Sequence, residues 1–370
     1  MYKIVQMVPA LGWGGAQIFC IQLCNELANY PGYDVTLVNM YHHKPEKHLP
    51  LDLIDPKVKF ITLGKHKGID LKMFGKLNSL LKKLQPDVVH THLHTSYYCF
   101  FAYLTAGGNY KKFHTFHSMV KTDSPWHGRL AYKYFFGKGI IHPVSISEEV
   151  FKSAQEEYGH GVIKTLINNG TMPITPSTLF NEVKATVEKL KKDSNTKVLL
   201  NVARINKLKN QELLLNAMRK LEEEGANVIS IVLGDHTPDE QDLYNHLMKI
   251  KPGNVHFLGK VKNVRDYYLN SDAFVLTSKF EGLPISLLEA LSAGCIPVCT
   301  PAGGVVNIVK NDIGFLSADI GYESYFASLK SYLNSSKEQL DILRANGKKL
   351  YSEQFSMQRC ASFYNELYHN

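Results

Sequence analysis

No apolar run in this 370-residue chain approaches the roughly 18 residues that a membrane-spanning helix needs. The opening MYKIVQMVPALGWGG does not read as a secretory leader, because Gln6 and Pro9 break its apolar stretch and Lys3 is its one cation. These absences predict a soluble, cytoplasmic protein with no integral membrane part. Cysteine is also scarce. None of the 6 has C-x-x-C spacing, Cys20 and Cys24 lie one helical turn apart, and Cys295 and Cys299 flank a short apolar stretch. Buried, reduced thiols are expected, not a disulfide framework. With 26 Gly and 15 Pro the chain is neither fibrous nor of low complexity, and it shows no short-period repeat. The G-x-G-x-x-G fingerprint is missing: Gly12, Gly14 and Gly15 follow the first strand-like run as GWGG, and Asn39 rather than an acid ends the second. That argues against a nicotinamide site. No D-x-D pair ends a strand, and no Cys or acid stands at ligand spacing from His90, His92 and His94. Neither a metal nor any other cofactor is therefore expected.

What is present is an ordinary globular composition, 44% hydrophobic and 21% charged. The length corresponds to about two domains. The net charge of +8 is uneven: residues 1–175 hold 19 Lys and Arg against 12 Asp and Glu, residues 176–370 hold 23 against 22. A basic first half suits an anionic partner, whether nucleic acid, phosphorylated ligand or anionic membrane surface, although solubilising charge alone gives the same sum.

Strand-like and helix-like stretches alternate throughout, which predicts an α/β protein built from βαβ units. In the first half YKIVQMVP, YDVTLVNMY, PDVVHTHL, KFHTFHSM and IIHPVSIS read as strands. Residues 70–84 pattern as an amphipathic helix, with Leu71, Phe74, Leu77, Leu81 and Leu84 on one face and Lys72, Lys76 and Lys83 on the other. Pro173, Pro176 and a run of Ser, Thr and Asn mark a boundary. A second alternating set follows: KVLLNVARI, helix 211–224, NVISIVLGD, helix 239–250, VHFLGKV, helix 263–270, AFVLTS, helix 285–293 and CIPVCT. The domains are expected at 1–172 and 173–352, with an aromatic helical segment closing the chain.

Three sets of residues carry candidate chemistry. In AFVLTSKFEGLPISLLEALSAG a buried strand runs into a loop holding Glu281 and Gly282, with Leu283, Pro284 and Ile285 leading into a helix that carries Glu289 and stops at Gly294. Helix N-termini at the carboxyl end of a parallel sheet favour anions, and a carboxylate there accepts bonds from vicinal hydroxyls. Plain favouring of the helix dipole by an acid gives the same pattern. Arg204 and Lys209 lie in the loop after KVLLNVA, as a diphosphate clamp or as a solvated basic loop. His117, ending KFHTFH, is a candidate polar group over a cleft, and Gly14 and Gly15 would let a ligand approach the backbone.

Seven stretches stand in one order along about 350 residues: GGAQ at 14–17, FHS at 116–118, VSISEEV at 144–150, NNG at 168–170, ARINKLKN at 203–210, VHFLGKVKN at 255–263 and EGLPISLLE from Glu281 to Glu289. This ordered set resembles a retaining glycosyltransferase of family 4, and the last stretch matches its Glu-x7-Glu signature. The resemblance implies the GT-B architecture: two Rossmann-like domains facing each other across a cleft, with a final helix, here 353–370, crossing back to an acceptor-side first domain. It implies that Glu281 and the segment Gly282, Leu283, Pro284 and Ile285, through the backbone N–H groups that follow Glu281 (Pro284 itself has none), hold the donor sugar, that Glu289 holds the ribose, and that Arg204 and Lys209 bind the diphosphate. His117 would contact the donor sugar, and Gly14 and Gly15 would approach the phosphates. The implied reaction is metal-independent transfer of a hexose-type sugar, from a UDP-sugar by preference, to a glycan or lipid-linked glycan in polysaccharide or lipopolysaccharide synthesis. Ala203, Asn210, Ser118, Thr171, Met172 and Asn307 depart from the usual pattern, and none of them removes a charged donor contact.

Two rival readings fit parts of the pattern. A nucleotide-sugar 2-epimerase of the same architecture would want more carboxylates and His around the sugar. A nucleic-acid-binding module would use the basic half, but no such motif accompanies it. A last expectation is docking on an anionic membrane surface. It would use Lys72, Lys76 and Lys83, together with Lys111, Lys112, Lys121, Arg129, Lys133 and Lys138 interleaved with Phe113, Trp126, Tyr132, Phe135 and Phe136.

Overall fold

The computed structural model describes residues 1–41, 50–66, 70–105, 109–123 and 126–370. In chain order the elements of the first half are β1 (Tyr2–Val8), α1 (Gly15–Leu27), β2 (Tyr33–Tyr41), β3 (Lys59–Lys65), α2 (Lys72–Leu84), β4 (Val88–His92), α3 (Ser96–Thr105), β5 (Lys111–Phe116), α4 (Val120–Asp123), α5 (Trp126–Gly137), β6 (His142–Ser145), α6 (Glu148–Tyr158) and β7 (Thr165–Leu166). There follow α7 (Phe180–Leu190), β8 (Lys197–Val202), α8 (Gln211–Glu223), β9 (Val228–Leu233), α9 (Gln241–Ile250), β10 (Val255–Gly259), α10 (Val264–Leu269) and β11 (Ala273–Leu276). The chain ends with α11 (Ile285–Ala293), β12 (Ile296–Cys299), α12 (Val305–Ile308), β13 (Phe315–Leu316), α13 (Tyr322–Asn334), α14 (Lys337–Leu350) and α15 (Met357–His369). Two compact units result: unit 1 joins Met1–Thr171 to Met357–Asn370, and unit 2 is Met172–Ser356.

Unit 1 holds a seven-stranded sheet in the order β3-β2-β1-β4-β5-β6-β7, parallel throughout. Its strands are apolar on both faces because helices cover both, as in β1, where Ile4, Val5, Met7 and Val8 are all buried. Parallel pairing sets Gln6 beside His90 and His92 beside Thr115, so these polar residues share one face of the sheet. The same face receives α15, whose Tyr364 and Tyr368 are fully buried. Tyr2 Oη and Lys111 Nζ donate to the carbonyl of Tyr368, at 2.7 and 3.0 Å, which satisfies the end of that helix. The opposite face buries His114, whose Nδ1 meets Thr91 Oγ1 and Ser96 Oγ at 3.0 Å each.

Unit 2 holds six parallel strands in the order β10-β9-β8-β11-β12-β13. Leu214, Leu215 and Met218 of α8 pack with Val232, Val275 and Val298 of the sheet and with Tyr325, Leu329 and Tyr332 of α13. Ser336 caps α14 in a reciprocal capping box with Gln339.

Four sequence expectations need correction. In α2 the buried positions are Met73, Leu77 and Leu81; Leu71 is 74% exposed, because the helix starts at Lys72 and Leu71 precedes its first turn. Only His90 and His92 share the β4 face, since His94 falls in a 3-10 turn beyond the strand. Phe113, Tyr132, Phe135 and Phe136 are buried and offer nothing to a membrane; Tyr132 and Phe136 stack at 5.1 Å under the sheet. Arg129 is paired with Glu157 at 3.0 Å. All six cysteines are buried free thiols, as expected. Among the described residues no helix is long and apolar enough to cross a membrane.

Burial pushes four imidazoles of unit 1 well below the usual histidine range: His90 and His92, and His114 and His117 to about 3. They are neutral in the folded chain and take up protons on unfolding once the pH falls below about 6.5. The stability they hold is fully present above that value and is lost as the pH falls towards 3, at up to about 1.4 kcal/mol per pH unit for each group. Thermal melts between pH 7 and pH 4.5 should show unit 1 losing stability with acid, and His114→Phe should flatten the slope. A melting profile with no dependence on pH over that range would contradict this.

Candidate functional site

In unit 2, β8 lies between β9 and β11, so the connections leaving the carboxyl ends of β8 and β11 diverge. That is the switch point at which parallel α/β sheets bind ligands. The loop after β8 is tightly held. Ala203 N–H donates to Leu233 O at 3.0 Å and Ile205 N–H to Asp235 O at 2.9 Å. Gly234 sits against it at φ +143, where a Cβ would come within 1.8 Å of the Ala203 carbonyl oxygen, so only glycine fits. Asn206 Oδ1 accepts from the amides of Leu208 and Lys209, and Asn210 adopts the left-handed conformation at φ 51 before α8 begins. The β11 loop is stitched onto this one: Lys279 N–H donates to Leu208 O at 2.8 Å and Thr277 Oγ1 to Lys209 O at 3.1 Å.

These bonds bring Lys209 and Glu281 together. Lys209 Nζ lies 2.5 Å from Glu281 Oε1, and Ser278 Oγ donates to the same oxygen at 2.5 Å. The Glu281 side chain is only 8% exposed, so its charge is held by that pairing. Oε2 takes no hydrogen bond among the described residues. Gly303, at φ +54, lies against the Glu281 backbone, and a Cβ there would meet Glu281 O at 1.8 Å. Gly304 N–H bonds Gly282 O at 3.0 Å. Pro284 is the N-cap of α11, with Leu283, Pro284 and Ile285 buried and Gly282 half-buried; Leu287 and Leu288 N–H donate to Pro284 O, so the amides of Ile285 and Ser286 at the helix start have no helical partner. Gly294, at φ 87, ends α11.

Glu289 is engaged separately, accepting from Tyr268 Oη at 3.0 Å. Burial raises its carboxyl to about 7, against the lowering effect of that hydrogen bond. Arg204 is exposed, and its guanidinium makes no hydrogen bond or ion pair among the described residues. The structure thus joins Lys209 to Glu281 and leaves the Arg204 side chain exposed and unpaired among the described residues. Ser278 and Tyr268 escaped the sequence reading, and nothing in their local spacing announces bonds made across a loop and between helices.

In unit 1, Gly14 is the N-cap of α1 and Gly15 its first residue, just beyond the carboxyl end of β1. Asn39, which stands where an acid would bind a ribose, instead braces this loop: its Oδ1 accepts from Leu11 N–H at 2.9 Å. His117 Nε2 lies 2.9 Å from His92 Nδ1, while its own Nδ1 is covered and meets no partner among the described residues. Among the described residues no group of three or more His, Cys, Asp or Glu could hold a metal ion.

The family model described as Glycosyltransferase Family 4 matches residues 13–170, and that described as Glycosyl transferases group 1 matches residues 182–350. The chain belongs to glycosyltransferase family 4. Gly14, Gly15 and His117 fall in the first match, and Arg204, Lys209, Glu281 and Glu289 in the second. An uncharacterised glycosyltransferase of Haemophilus influenzae is 24% identical over 94% of both chains. The capsular polysaccharide biosynthesis glycosyltransferase CapH of Staphylococcus aureus is 25% identical over 62% of this chain and 64% of its own. Anabaena HepE, solved in complex with UDP and glucose, superposes with a TM-score of 0.79 at 16% identity over 99% of both chains, which shows the shared GT-B fold. Across three other curated relatives it matches, this family 4 chain spans 40%, 56% and 46% of their length.

The raised Glu289 carboxyl has a measurable consequence. Its folded pKa of about 7 lies above the ordinary 4.5, so the folded chain holds this proton more tightly than the unfolded one. The resulting stability is complete below about 4.5 and is lost as the pH rises through 7. Glu289→Gln should therefore gain melting temperature relative to the wild type as the pH increases from 5 to 8. A constant difference across that range would refute the raised pKa.

Proposed function

We propose that the protein transfers a hexose-type sugar from a nucleoside diphosphate donor, a UDP-sugar by preference, to a glycan or lipid-linked glycan, with retention at the anomeric carbon and without a metal. The observation that carries this reading is the Lys209–Glu281 pair at 2.5 Å, set at the switch point of unit 2 beside the first turn of α11. Glu281 Oε2 is an open acceptor for a sugar hydroxyl, and α11 offers amides to the diphosphate. Arg204 and Lys209 stabilise the charge that develops as the bond from the anomeric carbon to the diphosphate oxygen breaks. The acceptor hydroxyl bonds to that carbon from the face the diphosphate leaves, and its proton passes to the departing diphosphate. Glu289, ionised above about pH 7, accepts from the ribose hydroxyls. Gly14 and Gly15 would approach the phosphates and His117 the donor sugar, parts that rest on the family resemblance. Synthesis of a cell-surface polysaccharide or lipopolysaccharide suits the name that CapH carries.

A hydrolysis screen of UDP-, GDP- and ADP-sugars tests the class and the donor together. A UDP-hexose should be consumed with release of UDP, and activity should survive EDTA. Lys209→Ala and Arg204→Ala should each lower kcat by ~10²–10³, as for one preorganised charge-stabilising donor, and Glu281→Ala should abolish transfer. Consumption of no sugar nucleotide, or full activity in folded Lys209→Ala, would overturn the reading.

The acceptor half would work at the cytoplasmic face of a membrane. On α5, Trp126, Leu130 and Tyr134 are 68%, 60% and 56% exposed and recur every four residues, forming an apolar stripe on the face opposite the buried Tyr132, Phe135 and Phe136. Lys133 and Lys138 are exposed beside it, and Lys72, Lys76 and Lys83 are exposed on α2. An apolar stripe flanked by lysines suits an anionic bilayer surface, where each cation contributes about 1 kcal/mol. Flotation with anionic liposomes at low salt should capture the protein. Leu130→Ser with Lys133→Ser should release it, as should added salt. Absence of any liposome association at low salt would leave a soluble acceptor as the better reading.

A further inference from the structure

Seven polar side chains of unit 1 form one unbroken chain of hydrogen bonds, six of them buried and His117, at one end, half-buried. His117 Nε2 lies 2.9 Å from His92 Nδ1, and His92 Nε2 lies 2.8 Å from Gln6 Oε1. Gln6 Nε2 donates to Tyr368 Oη at 2.8 Å, and Tyr368 Oη lies 2.5 Å from His90 Nδ1. His90 Nε2 is 2.8 Å from Thr115 Oγ1, which meets Tyr364 Oη at 3.0 Å. The chain crosses β1, β4 and β5 and ends on α15.

The direction of its protons follows from the chemistry of each group. A carboxamide oxygen only accepts, so His92 must present N–H at Nε2 to Gln6 Oε1 and a lone pair at Nδ1. That lone pair requires N–H at His117 Nε2, and the neutral ring then carries its one accepting lone pair at Nδ1. On the other side the Gln6 amide donates to Tyr368, whose hydroxyl proton goes to His90 Nδ1, and His90 Nε2–H goes to Thr115. The reverse order would need the amide of Gln6 turned over and would leave a covered, unpaired N–H at His117 Nδ1. An orphaned donor is rarer in protein interiors than an orphaned acceptor. Phe19 meets the His117 ring edge-on at 5.4 Å and restricts its rotation.

We infer that Gln6, His92 and Tyr368 are positioning residues that hold His117 in a single tautomer, with Nδ1 as a ready acceptor for a hydroxyl of the ligand. His117 Nδ1 is covered and has no hydrogen-bond partner among the described residues, and an approaching O–H supplies the missing donor. A group ordered in this way favours a polyhydroxylated ligand over an anionic one, because a neutral imidazole nitrogen with a lone pair repels a phosphate oxygen. That the hydroxyl belongs to the transferred sugar rests on the glycosyl-transfer reading. The ordered tautomer does not.

The test is a long-range ¹H–¹⁵N correlation spectrum of the full chain labelled at histidine nitrogen, with the His117 signals assigned by their loss in His117→Asn. The expected result at pH 7 is a neutral ring protonated at Nε2. Gln6→Met should convert it to a mixture of tautomers and raise the KM for the sugar nucleotide roughly tenfold at unchanged kcat, as for an interaction shared by ground and transition states. His92→Phe, which removes the acceptor for Nε2–H but keeps a ring in place, should do the same and serves if Gln6→Met does not fold. A wild-type His117 protonated at Nδ1, or one unchanged in both folded variants, would overturn the inference. An ordered Nε2–H tautomer in a protein that consumes no sugar nucleotide would uphold the relay and overturn the glycosyl-transfer reading instead.

Discussion

A parallel strand cannot be followed by a tight turn; the chain must cross back over the sheet before the next strand, and the crossover covers one face. Both sheets of this protein are parallel throughout, so all the connections that leave their carboxyl edges emerge on one side. Where neighbouring crossovers run to opposite faces, two loops part and their backbones stay accessible. In unit 2 that place lies between β8 and β11, and the residues with charged chemistry are found there. Gly234 and Gly303 lie where a side chain would collide with a carbonyl of the two loops, so the ion pair depends on glycine at positions away from the charges themselves.

The two units solve the burial of polar groups in different ways. Unit 2 buries the Glu281 side chain in an ion pair with Lys209 and a hydrogen bond from Ser278, an arrangement that loses its balance when either partner goes. Unit 1 buries imidazoles, which are uncharged yet both donate and accept, so they can be linked in series without a counter-ion. The first solution leaves a charge available to a ligand, and the second leaves a hydrogen-bonding orientation.

The end of the chain completes the first unit. Tyr368 bonds to Gln6 and His90, Tyr364 to Thr115, and the helix end is satisfied by Tyr2 and Lys111. The side chains of α15 are therefore part of the polar wiring under β1, β4 and β5 as well as of its packing. Aromatic residues with a hydroxyl suit this place, since the ring fills the apolar layer and the oxygen reaches the sheet.

Much was legible from local pattern. Apolar runs closed by Gly and Pro marked most strands of both sheets, though not β3 or β13, and α8 to α11 fall within a few residues of their expected bounds, because strand and helix periods are written in consecutive residues. The loop of Glu281 and the start and stop of α11 were readable for the same reason: Pro284 and Gly294 act on their own backbone. Which aromatics of 110–138 face solvent was not readable, since Trp126 and Tyr132 are alike in hydropathy and only packing on the sheet sorts them. Nor was the pairing of Lys209 with Glu281 across 72 positions, the Tyr268 bond to Glu289, or the contact of His117 with His92. The sequence by itself determined the elements, the family and the residues able to do the chemistry, because those follow from neighbours along the chain. Only the tertiary structure decided which groups meet, which are buried and in what proton state, because those depend on distance in space and on the exclusion of water.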